Sequence, residues 1–261
     1  MNLLYVDFSG LGLWDQRFMD LLERAASPGT RLQVRHLEGD GLGRSPFLSE
    51  RPEEYYGALL RAVREAEEGG FDAVMLGCAS EPGLRAAVNA ARIPVVGPFG
   101  AALHISGLLG RRLGVLCPAE GGRRKRPLVW HEHTVRLYGM AESQVAFRLV
   151  DVRKPDSAFV ERCVRTGALE ELREEILARY RDSILGNGVK EAYRAVAEDR
   201  AEVLFFACTL WGGLLAPIAE TVDVPVLDPV VTLLKATEAA VLAAGFSTGS
   251  RGRAENDEMR R

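Results

Sequence analysis

Short apolar runs alternate with stretches of helical spacing along most of the chain. Apolar or alternating runs predict buried or half-buried strands at residues 3–8, 31–37, 73–78, 94–97, 112–117, 144–150, 203–208 and 225–227. Helical spacing and its start and stop signals predict helices at 14–26, 52–68, 81–91, 99–109, 123–138, 155–199, 213–221 and 230–243, the sixth of them broken at 186–188. Strands that alternate with helices are typical of parallel sheets built from right-handed βαβ units. We therefore predict an α/β fold.

Two of the strands follow one pattern. In each, an apolar run ends on a small residue that is followed by a cysteine, Cys78 in the first copy and Cys208 in the second. Further along, residues 93–96 and 224–227 repeat an apolar-Pro-Val pattern. Such internal repetition predicts two pseudo-symmetric parallel-sheet α/β domains with the active crevice between them. We predict a first domain at 1–98 plus 229–245, a second at 99–228, and a disordered tail at 246–261.

Composition narrows the classes of function. Apolar residues make up 47% of the chain and charged residues 26%, which is ordinary for a folded protein. A net charge of −3 without a basic stripe argues against a nucleic-acid partner. The longest apolar region, 203–219, is interrupted by glycine and proline, so we expect no membrane span. The chain opens directly on a strand without a basic signal region, and we expect a cytoplasmic protein with a small-molecule substrate.

Neither a metal nor a nucleotide cofactor is indicated. The chain contains four cysteines, Cys78, Cys117, Cys163 and Cys208. None of them forms a C-x-x-C pair, and their spacing is not that of a zinc site. His131 and His133 lie two positions apart, which a helix points to different sides. The sequence also lacks a G-x-G-x-x-G or Walker pattern, so we expect free thiols and no cofactor.

The equivalent positions of Cys78 and Cys208 predict acid–base chemistry. The carboxyl end of a parallel strand faces the crevice in which open α/β sheets bind ligands, so both thiols should face one pocket. One thiolate would remove a proton from a carbon beside a carbonyl, and the other thiol would return a proton from the opposite side. Backbone N–H groups of the turn after each strand would stabilise a thiolate or a developing enolate. The alternative is that both cysteines are ordinary buried strand residues.

Other polar residues are weaker candidates. Cys117 ends the second half's first strand and is expected to be buried filler that at most lines the pocket. Cys163 and His104 lie in predicted helices and are expected to be structural. The basic run at 123–126 is expected at a solvated helix entrance. Glu81 is expected to support the first cysteine turn or to cap the helix that follows it.

The cysteine segments resemble those of a known family. Residues 72–84, Asp-Ala-Val-Met-Leu-Gly-Cys-Ala-Ser-Glu-Pro-Gly-Leu, followed by Ile-Pro-Val-Val-Gly at 93–97, resemble the first half of hydantoin racemases of the aspartate/glutamate racemase superfamily. Residues 201–209 and 224–228 resemble the second half, and Leu-Tyr-Gly-Met at 137–140 is similar to the family's middle segment. The resemblance extends over roughly residues 1–245. It implies cofactor-independent racemases with two α/β domains, which use paired cysteines for proton transfer and commonly form homo-oligomers.

The resemblance also implies a substrate and a set of site residues. The substrate would be a 5-substituted hydantoin or an amino-acid-like compound, and the catalytic residues would be Cys78 and Cys208. The residues expected to bind the substrate are Asp7, Ser9, Ala79, Ser80, Phe99, Cys117 and Thr209.

Three segments depart from the family pattern. An Asn-Pro-Asn-Thr type turn often follows the first strand, but here the turn at 7–10 is Asp-Phe-Ser-Gly, and an acid changes what it can bind. A small residue and a glutamate often follow Gly97, but here residues 98–100 are Pro-Phe-Gly. Residues 209–211, Thr-Leu-Trp, replace a smaller turn after the second cysteine. Phe99 and Trp211 would then make the pocket rim more apolar.

Two alternative functions remain open. Arylmalonate decarboxylases of the same superfamily keep only the second-half cysteine, and Cys78 argues against that chemistry. Maleate-isomerase-like enzymes keep both cysteines and use one as a nucleophile, so an isomerase or lyase acting on a small dicarboxylate is the alternative enzyme. Outside enzymes, the alternative is a two-lobed small-molecule binding module, in which two crevice thiols would have no purpose.

Overall fold

A computed structural model describes residues 1–37, 46–47, 54–110, 112–119, 134–141 and 144–258. Within these ranges the strands form two four-stranded sheets, and every recorded strand pair is parallel. The predicted α/β class with parallel sheets is confirmed.

The first sheet is formed by the amino-terminal part of the chain. Its strands are β1 (Asn2–Asp7), β2 (Arg31–His36), β3 (Ala73–Leu76) and β4 (Val95–Val96), in the order β2-β1-β3-β4. Its helices are α1 (Asp15–Ala25), α2 (Glu54–Glu68), α3 (Leu84–Ala90) and α4 (Pro98–Leu109). Tyr5 of β1 lies opposite both Val34 and Met75 in the register. Residues 73–76 are fully buried because parallel strands between helices are covered on both faces.

The second sheet repeats this arrangement. Its strands are β5 (Leu113–Ala119), β6 (Val145–Asp151), β7 (Val203–Phe206) and β8 (Val226–Leu227), in the order β6-β5-β7-β8. The helices that follow are α5 (Ser157–Thr166), α6 (Leu169–Ser183), α7 (Val189–Ala197), α8 (Ala216–Ala219) and α9 (Pro229–Glu258). The two strand orders match position for position, as the repeated sequence pattern predicts.

The largest group of buried side chains joins the two sheets. It contains Tyr5 and Phe18 from the first half together with Tyr180 and Trp211 from the second. The final helix α9 packs against α1, α4 and β3, so the end of the chain returns to the first sheet. The predicted division into domains 1–98 plus 229–245 and 99–228 stays a prediction.

Helix boundaries differ from the sequence prediction in several places, and the predicted helical region 155–199 is also interrupted between Thr166 and Leu169. The predicted break at 186–188 is instead a π-helical turn, Ile184–Gly188, that joins α6 to α7 without interruption. The side chain of Asn187 in this turn donates to the Leu149 carbonyl at 3.2 Å, which anchors it to β6. Helix α9 was expected to end near residue 243, but its backbone stays helical to Glu258. The predicted helix start and basic run at 123–126 lie outside the described residues.

No helix in the described part of the chain is both long enough and apolar enough to cross a membrane.

Candidate active site

The two cysteines occupy turns with the same backbone hydrogen bonds. Gly77, before Cys78, donates its N–H to Val6 O at 2.8 Å, and Ala207, before Cys208, donates to Leu116 O at 2.8 Å. Each cysteine carbonyl then accepts from the N–H of the residue three positions later. The distance is 3.0 Å from Glu81 N to Cys78 O and 3.0 Å from Trp211 N to Cys208 O. The carboxyl ends of β3 and β7 therefore present both cysteines in equivalent turns.

Cys78 is half-buried and surrounded by hydrogen-bond donors from its own turn. The N–H groups of Ser80 and Glu81 and the hydroxyl of Ser80 all donate toward its sulfur. Burial nevertheless raises the pKa of the Cys78 thiol to about 12, while these donors lower it. In the unliganded protein at neutral pH, Cys78 is thus a protonated thiol.

Cys208 has a different environment. Its sulfur lies 3.8 Å from the hydroxyl oxygen of Tyr180 on α6. Burial raises the pKa of the Cys208 thiol, and the Leu210 N–H, the Tyr180 hydroxyl and the charges of Arg17 and Lys154 lower it. Burial is the largest of these effects, so the two cations and the phenol only partly offset its rise in the pKa of Cys208.

Arg17 connects α1 of the first half to the second cysteine turn. Its guanidinium donates to Leu210 O at 3.2 Å and to Gly212 O. Its Nη1 is buried and makes no hydrogen bond within the described residues, and no carboxylate there lies within ion-pair distance of this side chain. A buried cation without a paired carboxylate is costly unless another negative charge lies near it. The carboxylate of Asp228 is such a charge, and an ionised Cys208 would be another.

The two turns also contact each other directly. The hydroxyl of Thr209 donates to the carbonyl of Gly77 at 2.9 Å, and this bond is buried. The charge on Cys208 is close enough to raise the pKa of Cys78. The structure thus brings both predicted thiols to one place. The hydroxyl of Thr209, predicted to bind substrate, instead donates a hydrogen bond from the second half to the first.

Asp7 lies at the end of β1 and is buried. Its carboxylate accepts from Ser9 Oγ at 2.6 Å and from Ser9 N at 3.1 Å. Burial raises the pKa of Asp7 to about 6, although the bonds from Ser9 lower it. The Asp7–Ser9 turn is therefore a compact polar unit, and the charge of His36 at the end of β2 also reaches it.

Three of the predicted binding residues are buried in the core. Phe99 is 0% exposed and packs on Phe205 with ring centroids 6.0 Å apart, so its expected place at a pocket rim is wrong. Trp211, expected at the same rim, is also 0% exposed and donates to Ser183 Oγ at 3.0 Å. Cys117 and Ala79 belong to the same buried cluster as Phe99. Apolar side chains at these positions fill the sheet–helix interface.

Two further residues lie away from the thiols or have a different partner. His104 is exposed on α4, and its Nδ1–H donates to the carbonyl of Gly100 at 2.7 Å. Glu81 accepts from Gly100 N at 2.8 Å, so it caps α4 rather than the helix directly after it, α3. Cys163 is fully buried in α5, in agreement with a structural role.

Sequence reasoning missed Arg17 and Tyr180. A signal for Arg17 was present, because it lies three residues after Trp14 and four before Leu21, on the otherwise apolar face of α1. Tyr180 gave no comparable signal, since a tyrosine on a buried helix face is usually core. Among the described residues there is no group of three His, Cys, Asp or Glu side chains that could hold a metal ion. His131 and His133 lie outside those residues.

Comparison with known proteins decides the family. A family model described as Asp/Glu/Hydantoin racemase matches residues 18–237. The chain belongs to this family. A hydantoin racemase from Rhizobium meliloti is 30% identical over 190 residues, covering 73% of this chain and 68% of the relative. This member of the family is therefore an isomerase of the racemase class.

Solved structures agree with the fold. An allantoin racemase from Klebsiella pneumoniae superposes with a TM-score of 0.70 at 19% identity, covering 94% of this chain and 89% of that one. An allantoin racemase from Pseudomonas fluorescens has a TM-score of 0.63 at 22% identity, with 94% and 92% covered. The two-sheet arrangement is thus shared with racemases of known structure.

Proposed function

We propose that this racemase inverts a carbon beside a carbonyl by two-thiol proton transfer, without a cofactor, and that its substrate is a 5-substituted hydantoin or a similar amino-acid derivative. The observation that supports this most is the matched pair of turns that present Cys78 and Cys208. Each turn provides N–H donors next to its sulfur, and the two turns are joined by the bond from Thr209 to Gly77. The similarity to a hydantoin racemase supports the substrate class.

The proton transfer balances without an added reagent. One sulfur, as a thiolate, takes the proton from the α-carbon, and the electron pair of the broken C–H bond moves onto the carbonyl as an enolate. The other sulfur, as a thiol, donates its proton to the opposite face of the same carbon. The product is the mirror image, and the two sulfurs have exchanged their ionisation states. Backbone N–H groups of the turns are suited to stabilise the enolate oxygen.

The unequal environments of the sulfurs suggest the starting state. Burial raises the pKa of both thiols, but Arg17, Lys154 and Tyr180 lower that of Cys208, whereas the groups that lower the pKa of Cys78 are the N–H groups of Ser80 and Glu81 and the Ser80 hydroxyl. We propose that Cys208 acts first as the base and Cys78 first as the acid. The Asp7–Ser9 turn and Ser80 supply polar groups for the ring or carboxyl of the substrate.

The alternatives differ in how many thiols they use. A decarboxylase-like or maleate-isomerase-like reaction on a dicarboxylate needs one cysteine as donor or nucleophile. A decarboxylase-like reaction would leave Cys78 without a role, whereas a maleate-isomerase-like reaction would keep both cysteines with one as the nucleophile. A binding module would need neither thiol. The paired turns favour the two-thiol racemase.

The test is proton exchange followed by NMR in deuterated water. Candidate substrates are 5-substituted hydantoins, allantoin, aspartate, glutamate and arylmalonates, with wild type compared with Cys78→Ala and Cys208→Ala. Because each thiol transfers one proton, racemisation should fall about 100-fold or more in either variant. Cys163→Ala removes a thiol from the buried face of α5 and is the matched control, which should stay near wild type. Exchange that survives in Cys78→Ala would indicate one-cysteine chemistry, and no exchange with any compound would reject this substrate class.

A further inference from the structure

Each half of the molecule uses one carboxylate to connect its cysteine turn to the helix that follows its fourth strand, but the two halves draw that carboxylate from opposite ends. In the first half it comes from the cysteine turn, as Glu81, and the position before the helix is Gly97. In the second half it comes from the position before the helix, as Asp228, which accepts from Gly213 just beyond the cysteine turn, while Trp211 stands at the position of Glu81. Both helices, α4 and α9, begin with proline, at Pro98 and Pro229. The backbone arrangement is similar in the two halves, but the carboxylate follows the cysteine in the first half and precedes the helix in the second.

Glu81 is held in a strained and buried position. Its backbone has φ of 51°, in the left-handed region that side chains other than glycine disfavour. Its carboxylate is buried and accepts from Gly100 N at 2.8 Å and from Phe99 N, both in the first turn of α4. A side chain kept in such a conformation indicates that its contact matters.

Gly97 has no room for a side chain while Glu81 is present. A Cβ atom built at Gly97 would overlap the carboxylate and the Cγ of Glu81, which are its three nearest neighbours. The backbone of Gly97 is extended, with φ of −106°, so any residue could adopt it. The glycine is therefore required by the side chain of Glu81 and not by the backbone.

Asp228 performs the equivalent task in the second half. Its Oδ1 accepts from Val230 N at 2.9 Å and from Val231 N at 3.1 Å, which caps α9. Its Oδ2 accepts from Gly213 N at 2.6 Å, just beyond the second cysteine turn. One side chain thus joins the helix start to the turn region, as Glu81 does from the other end.

We propose that Glu81 is the positioning residue for Cys78, and that Asp228 is its counterpart for Cys208. The N–H of Glu81 closes the turn on the carbonyl of Cys78 at 3.0 Å, so the anchor of Glu81 on α4 also fixes the direction of the Cys78 sulfur. The inference rests on the proposed two-thiol function for its catalytic meaning, but its geometry can be tested without any substrate.

The test is the rate at which iodoacetamide alkylates each cysteine, resolved by peptide mass spectrometry. In Glu81→Gly the backbone strain is relieved but the anchor is lost, so Cys78 should react about fivefold faster or more, with Cys208 unchanged within about twofold. Glu81→Gln keeps an acceptor for Gly100 N and should stay near wild type. Asp228→Ala is the matched control, and it should change the reactivity of Cys208 while leaving Cys78 unaltered.

The decisive variant copies the second half into the first. In the double variant Glu81→Gly with Gly97→Asp, the new carboxylate has the space that Glu81 vacates and can cap α4, so the reactivity of Cys78 should return toward wild type. Gly97→Asp alone should disturb the reactivity of Cys78 more than Glu81→Gly or the double variant does, because its side chain overlaps Glu81. Circular dichroism and thermal unfolding establish that each variant compared is folded.

The outcomes separate this inference from the proposed function. If Glu81→Gly alters both cysteines equally or neither, or if the double variant is folded but does not restore Cys78, the inference is wrong. If the alkylation pattern is as expected and the turnover number falls more than KM rises in Glu81→Gly, both proposals are supported. If the pattern is as expected but wild type exchanges no substrate proton, the positioning of Cys78 stands and the proposed reaction does not.

Discussion

The two cysteine turns share their backbone hydrogen bonds but differ in their electrostatic surroundings. The equivalent backbone hydrogen bonds have the same lengths in both halves, 2.8 Å for the first and 3.0 Å for the second. The first half has two buried carboxyl groups, Asp7 and Glu81, whereas the charges of Arg17 and Lys154 and the phenol of Tyr180 act on Cys208. The two halves therefore hold their cysteines at equivalent positions, but the groups that shift the pKa of each thiol differ. The proposed two-thiol mechanism needs one protonated and one ionised thiol at a time, and unequal surroundings would decide which thiol is ionised first.

The largest expected consequence of this difference is in the pH dependence of stability. Among the described residues the carboxyl groups with raised pKa values are Asp7, at about 6, and Glu81, at about 7, both in the first half. A carboxyl whose pKa is raised in the folded state binds its proton more tightly there, so stability falls as pH rises from about 4.5 through 7. Moving the pKa of Glu81 from 4.5 to about 7 corresponds to about 3 kcal/mol.

Urea unfolding at pH 4 and pH 8 measures this effect. Wild type should lose about 3 kcal/mol more of its unfolding free energy between these pH values than Glu81→Gln does, because glutamine cannot ionise. Glu238, whose pKa is lowered to about 2, is present in both proteins and cancels in the difference. Equal pH dependence in the two proteins would show that Glu81 does not titrate in this range.

A smaller effect is expected where the two turns meet. Thr209 has Ala79 as its equivalent in the first half, so the bond to Gly77 is made by one half alone. Thr209→Val removes the hydroxyl at nearly the same volume and leaves a buried carbonyl without its partner, which should cost about 1–2 kcal/mol of unfolding free energy. Thr209→Ser keeps the hydroxyl and is the control. If valine and serine variants are equally stable in denaturant titration, this bond contributes nothing between the halves.

The smallest expected effect concerns the charge beside Cys208. Replacement Arg17→Met keeps the length of the side chain but removes the guanidinium, so the midpoint of Cys208 alkylation against pH should rise by about one pH unit or less. Arg17→Lys should have an intermediate midpoint because it keeps the charge. The midpoint for Cys78 serves as the internal reference. If both midpoints moved together, Arg17 would act on the whole crevice and not on Cys208.

Sequence patterns predicted the features that depend on local order. The alternation of strands and helices and the repeat of the cysteine strand follow from residues close together in the chain. They led to the correct fold class and to the prediction that Cys78 and Cys208 occupy equivalent turns. The contacts of Arg17 with the second turn and of Glu81 with α4 join elements far apart in sequence, so no local pattern reveals them. Phe99 was misplaced because an aromatic residue has the same sequence signal at a rim and in a core.

The hydrogen bond from Thr209 to Gly77 has a consequence for movement. It lies between the halves and one residue from each catalytic candidate, Cys78 and Cys208. Any motion that opens the crevice while keeping this bond must pivot near the thiols, so that the outer edges of the halves separate widely while the sulfurs hardly part. The hinge would then keep the two sulfurs at a nearly constant span, and the thickness of substrate that fits between them would be set before the substrate arrives.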